Sequence, residues 1–193
     1  MKIIITSLII ILCNNFLYSQ IQLNSNNFLI AKEFSKDISL FNAKFYLFKN
    51  VLGESDDVTQ FEVTPLAAAS SGELTTLIYK CEKKQKEGLI LGFYGSYWNK
   101  AGVVYQGFMF KNFEKAKAIE FLHTIESTIQ ANNKFLRDNG DNNNIYFKFE
   151  DIDILVWNSM GSFNIRLFWE GFDSTWEQDA YSKSKRRFEK KIK

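Results

Sequence analysis

Apolar and polar positions alternate along much of the second half of the chain, and the breaks in that alternation mark its turns. Phe163, Ile165, Leu167 and Trp169 alternate with Ser162, Asn164 and Arg166, the period of a strand with one buried face. Upstream, Ile145, Phe147 and Phe149 share one parity, whereas Ile152, Ile154 and Val156 share the other. A continuous strand would send the two sets to opposite faces, so Glu150–Asp151 is expected to hold a tight turn or a bulge. Glu73–Cys81, Leu89–Tyr94 and Val103–Phe110 read as further strands. The first two are joined by the polar loop Glu82–Gly88, and Ser70-Ser71-Gly72 is a turn ahead of them. Thr59–Val63 also alternates. Pro65 has no amide hydrogen to donate, which demotes the continuation to an edge strand or a bulge.

Between these strands the period lengthens. Ala118, Phe121, Leu122, Ile125, Ile129 and Leu136 fall on one face of a single helix, with Asn112 as its expected cap and Glu114 in its first turn. Asp138-Asn139-Gly140 is expected to end it. A last helix carrying Trp176, Ala180, Phe188 and Ile192 is expected to follow a cap at Asp173. Phe28–Phe41 approaches helical spacing, Asn42–Phe48 reads as an aromatic strand, and Gly53–Asp57 reads as a loop.

Trp98-Asn99-Lys100-Ala101-Gly102 and Trp157-Asn158-Ser159-Met160-Gly161 repeat the pattern W-N-x-x-G at an offset of 59 residues. Phe113 and Phe172, each followed by an acid, keep that offset. Two tandem hairpin–helix units and a coincidence between ordinary hairpins both account for it. The expected fold class is α+β: an antiparallel sheet of about six or more strands with two long helices packed on one face.

The amino terminus changes the picture. Lys2, the apolar run Ile3–Leu12 and the small residue Ser19 have the layout of a secretory signal peptide, and the run is too short to span a bilayer. Residues 1–19 are therefore expected to be a signal peptide and residues 20–193 a single α+β domain, exported to the periplasm or secreted. Of the two cysteines, Cys13 falls in that signal, so the mature chain has Cys81 alone and no internal disulfide. Bulky Leu12 argues against a lipid anchor on Cys13. Cys81 reads as a buried strand residue. With 19 Phe, 8 Tyr and 4 Trp, large rings can build a stable core without cross-links.

The formal net charge is +2, but Lys183, Lys185, Arg186, Arg187, Lys190, Lys191 and Lys193 crowd the last twelve residues against Glu189. Cations at a helix C-terminus complement its dipole. A basic helix is also attracted to anionic headgroups, so membrane-surface contact through this C-terminal helix is the second reading. Nucleic acid is not expected as a partner of an exported protein.

No motif for acyl transfer, zinc hydrolysis, phosphate binding or dithiol redox chemistry is present, and no catalytic residue, metal or cofactor is assigned. His123, the single histidine, lies off the apolar stripe and should face solvent. Glu150, Asp151 and Asp153 offer oxygen ligands but read better as a solvated turn, and Asp138–Asn144 misses the calcium-loop spacing. Carboxylates from distant segments can still meet in space, which keeps a carboxylate-dependent hydrolase open. Aromatics near the strand ends are the remaining signal: Tyr94, Tyr97, Tyr105 and Phe168 are the expected ligand-binding residues, able to stack on a protein, peptide or glycan. Trp98 and Trp157 are expected to pack internally. The order of elements is loosely similar to that of type III secretion chaperones, a resemblance that implies partner binding. The main expectation is a non-enzymatic, exported or envelope-associated domain that binds through an aromatic sheet face.

Overall fold

The computed structural model describes residues 40–98, 104–139 and 142–192. The chain divides into residues 1–41 and residues 42–193, and every element named here belongs to the second unit. The expected signal peptide and residues 28–39 of the expected first helix lie outside the described residues. α1 covers residues 42–52, α-helical to 46 and then π-helical over Leu47–Leu52. β1 (Glu62–Ala68), β2 (Leu74–Cys81), β3 (Lys86–Trp98) and β4 (Val104–Glu114) follow, then α2 (Lys115–Ala131) and α3 (Asn133–Asp138). The second half repeats the plan with β5 (Asn144–Phe149), β6 (Ile152–Ser159), β7 (Ser162–Trp169), β8 (Phe172–Glu177) and α4 (Gln178–Lys191).

The fold is α+β, but the strands form two four-stranded antiparallel sheets, β1-β2-β3-β4 and β5-β6-β7-β8, instead of the one larger sheet expected. Each sheet is a meander whose last strand runs straight into a helix. Both junctions use an extended glutamate, Glu114 at φ −62° and ψ 157°, and Glu177 at φ −66° and ψ 150°. Counting from these junctions, buried Ala118, Phe121 and Ile125 of α2 correspond to buried Tyr181, Ser184 and Phe188 of α4. The W-N-x-x-G match does not follow this correspondence. It sets the β3–β4 hairpin against the β6–β7 hairpin, and residues 99–103 of the first copy lie outside the described residues.

Pairing explains most of the shifted boundaries. β4 pairs with β3 as far as Glu114 opposite Gly88, so Asn112 is a strand residue and not a helix cap. Asp173 likewise pairs with Phe168 inside β8. Asn42–Phe48 is helical, with Ala43, Leu47 and Val51 buried at intervals of four. The long helix expected through Leu136 breaks at Asn132, whose side-chain amide donates to the Thr128 carbonyl at 2.9 Å and competes with the helical ladder. Other expectations hold. β1 is an edge strand with its register shift between Pro65 and Ala67. Glu150–Asp151 is a two-residue turn, with Glu150 at φ 51°.

The core lies between the inner faces of the two sheets. Leu74, Ile78, Leu89, Leu91 and Phe93 of the first and Ile152, Ile154, Val156, Ile165 and Leu167 of the second belong to one buried cluster with side chains of α2 and α4. The β1–β2 turn caps the β8 edge: Glu177 accepts the Ser70 amide at 3.1 Å, and Ser174 donates to the Glu73 carbonyl at 3.1 Å. Buried Thr76 and Ser184 share a 2.7 Å hydrogen bond between β2 and α4, and Tyr181 donates to the Leu122 carbonyl at 2.6 Å. α1 covers part of the outer face of the first sheet: Tyr46 rests against Phe110, and Lys86 donates to the Val51 carbonyl at 2.5 Å, while Phe108 on the same face stays exposed. No helix among the described residues is long and apolar enough to cross a membrane.

Candidate ligand-binding face

The second sheet has one face covered by the core and one left open. β6, β7 and β8 show the reason, because buried side chains alternate with half-buried or exposed ones along each of them. Register lays the open side chains out in three rows across the strands. Lys148, Asp153, Phe168 and Asp173 form one; Tyr146, Leu155, Arg166 and Thr175 the next; Asn144, Trp157, Asn164 and Glu177 the third. Tyr146 is 60% exposed and Phe168 37%, and Trp157 is half-buried beside them, not packed in the core as its sequence context suggested.

The polar side chains of this face are held in place by one another. Asp153 accepts from the Tyr146 hydroxyl and pairs with Lys148 at 3.1 Å. Asp173 accepts from the Arg166 guanidinium, whose Nη1 also reaches the Thr175 hydroxyl at 3.3 Å. At the turn end, Asp151, Asp153, Phe168, Glu170 and Asp173 line a shallow depression of about 400 Å³. The Tyr146 and Lys148 hydrogen bonds hold the Asp153 carboxyl below the usual range. Partial burial pushes Asp151 up, but hydrogen bonds from Lys111 and Trp169 outweigh it and leave this carboxyl lowered as well. Both are therefore anions at neutral pH, the opposite of the raised pKa that a general acid requires. Among the described residues no group of three or more His, Cys, Asp or Glu side chains could hold a metal ion.

Asp151 is also a brace between the sheets, taking Lys111 of β4 at 2.5 Å and Trp169 Nε1 of β7 at 2.9 Å. Its folded-state pKa is depressed, so its stabilisation is complete above the unfolded value of about 3.9 and disappears as pH falls through the folded one. The Asp151→Asn variant is expected to flatten this part of the acid limb of a stability–pH curve, read by urea midpoints below about pH 4. An unchanged acid limb would remove the brace from the account.

Of the four residues expected from sequence, Tyr94, Tyr97 and Tyr105 lie on strands of the first sheet and Phe168 on the second. Tyr94 sits on the outer face of the first sheet, edge-on to Phe110 with centroids 6.1 Å apart, and its ring covers Gly92, where an added Cβ would come within 3.0 Å of it. Tyr97 and Tyr105 pair across β3 and β4, and their side chains lie outside the described residues. Phe168 is on the second sheet and shares its open face with Tyr146, one row and two strands away, and Trp157, two rows and one strand away. The sequence reading assigned Trp157 to internal packing and did not single out Tyr146, although both share the off-core parity of their strands.

His123 is exposed, 3.8 Å from Glu189, and Cys81 is a buried free thiol. Comparison with known protein families, with curated proteins and with solved structures returns no match to this chain. The architectural likeness to type III secretion chaperones thus has no counterpart there, and the observed strand order, four and four, departs from it.

Proposed function

We propose that this protein is an exported, non-enzymatic binding domain that holds its ligand on the open face of the second sheet. The observation that carries the reading is the open face that Tyr146, half-buried Trp157 and Phe168 share with Asp153, whose carboxyl is held below the usual range by hydrogen bonds from Tyr146 and Lys148. Rings stack on apolar faces of a ligand, and fixed anions accept hydrogen bonds from its donors without reorganising. A glycan offers both, with C–H faces for Phe168 and Trp157 and hydroxyl donors for Asp153 and Asp173. Peptides offer fewer such donors per unit of apolar face and form the comparison class.

The test is a titration of native protein with a panel of soluble oligosaccharides and of peptides, followed by tryptophan fluorescence and calorimetry. A saccharide is expected to bind, and Phe168→Ala to weaken it about tenfold, the loss of roughly 1–1.5 kcal/mol of ring stacking. Tight peptide binding with no saccharide response would overturn the glycan assignment. Saccharide binding indifferent to Phe168, Tyr146 and Trp157 would overturn the site.

A further inference from the structure

We propose that the solvent face of α4 is a docking surface for anionic, phosphate-bearing lipid headgroups. α4 is two-sided. Ala180, Tyr181, Ser184 and Phe188 are buried, whereas Lys183, Arg186, Arg187, Lys190 and Lys191 are exposed. At 100° per residue these five cations cover about 140° of the helix perimeter. The remaining cation of the helix, Lys185, is spent inside the fold on Glu126 at 3.3 Å and Glu189 at 2.7 Å.

The helix dipole accounts for Lys190 and Lys191 in the last turn but not for Lys183, Arg186 and Arg187 further in, because the effect dies away within one turn. The arrangement is also unfavourable by itself. Lys183 and Arg187, Arg186 and Lys190, and Arg187 and Lys191 are like-charged pairs four residues apart, which repel. Among the described residues Lys183, Arg186, Lys190 and Lys191 have no carboxylate partner within ion-pair distance. Of these cations Lys191, at the end of the helix, lines a depression with Glu62 and Glu87. An external anion removes the repulsion.

A groove prepared for such an anion lies between α4 and the edge strand β1. Arg187, Lys190, Lys191 and Pro65 line a depression of about 450 Å³ with no carboxylate in its wall. Arg187 is pinned there by donating to the Leu66 carbonyl, so one cation is held in place before any ligand arrives. This groove takes a headgroup phosphate, while Lys183 and Arg186 meet neighbouring headgroups. The choice of lipid over another polyanion rests on the reading of the protein as exported. The glycan face and this helix are separate surfaces: α4 covers the inner side of the second sheet and the open grid is its outer side.

The experiment measures partition of native protein onto vesicles of phosphatidylcholine alone and of phosphatidylcholine with about 30% phosphatidylglycerol, against the triple variant Lys183→Gln, Arg186→Gln, Lys190→Gln. Native protein is expected on the anionic vesicles only, with the attraction lost in about 1 M salt. At about fivefold per cation, the triple variant should bind about 100-fold more weakly. The charge-conserving variant Lys183→Arg, Arg186→Lys, Lys190→Arg should bind as the native protein does. Four results would overturn the proposal: no partition onto anionic vesicles, equal partition of native and triple-variant protein, tighter binding to a DNA duplex than to the vesicles, or full displacement by inorganic phosphate at equal phosphate concentration.

Discussion

Replacing Trp176 by alanine is expected to cost about 3–5 kcal/mol and to lower the melting temperature by roughly 8–16 °C. Trp176 is the largest fully buried side chain among the described residues. It stacks on Phe121 of α2 at 6.3 Å and meets Tyr181 of α4 edge-on at 5.0 Å. Phe121 in turn stacks on Phe113 at 4.8 Å and touches Phe149 at 5.2 Å. One tryptophan therefore joins a chain of rings from both sheets and both long helices, and its loss leaves a hole that none of these elements can close alone. Tyr181 is coupled to the same ring and donates to α2, so a shift of α4 would also strain a buried hydrogen bond. Urea and thermal denaturation measure the effect. A melting temperature within about 3 °C of the native value would mean that the rings do not form one cooperative core.

Gly88→Ala is the second severe change, for a different reason. A Cβ at this position would lie 2.1 Å from the backbone oxygen of Phe113 and 2.8 Å from the Tyr79 hydroxyl. The oxygen belongs to β4, which is paired to β3 at Gly88–Glu114 and Leu89–Phe113, so relief requires breaking the ladder. Tyr79 is fully buried and cannot swing away; burial also pushes its phenol up to about 12. The expected cost is about 3 kcal/mol or more, at or beyond the upper end of overpacking penalties. Gly92→Ala provides the contrast. There the near atoms are the Thr75 hydroxyl at 2.7 Å and the Tyr94 ring at 3.0 Å, side-chain ends that can rotate, so a loss nearer 1 kcal/mol is expected. Denaturant midpoints for the two variants should fall in that order, and the reverse order would discredit the register of the first sheet.

The candidate site was half legible before folding was known. Phe168 was visible because its strand alternates so cleanly that an aromatic on the polar parity stands out. Tyr146 and Trp157 obey the same parity on the two strands joined by the Glu150–Asp151 turn, yet nothing local says that this face stays open. Tyr94 shows the converse. It looked available because one side of the first sheet was assumed open, whereas α1 covers that face at Phe110 and leaves Tyr94 half-buried beside exposed Phe108. Asn42–Phe48, read as a strand from its aromatics, is part of that covering helix; its burial spacing becomes evident only once Leu47 and Val51 have a sheet to rest on.

Local chemistry decided what is local. A parity flip forces the Glu150–Asp151 turn, a missing amide hydrogen puts Pro65 on an edge with a bulge, and 3.6-residue spacing buries Ala118, Phe121 and Ile125 together. Those rules depend on neighbours a few residues away, so the chain carries them without help. Only the tertiary structure decided where β4 and β8 end, because ladder hydrogen bonds to β3 and β7 outweigh the capping preferences of Asn112 and Asp173. It alone decided that eight strands divide four and four, since burying Phe113, Phe149 and Trp176 against one another needs two sheets with their inner faces turned together. That division also leaves one face of the second sheet uncovered and the cations of α4 on the solvent side.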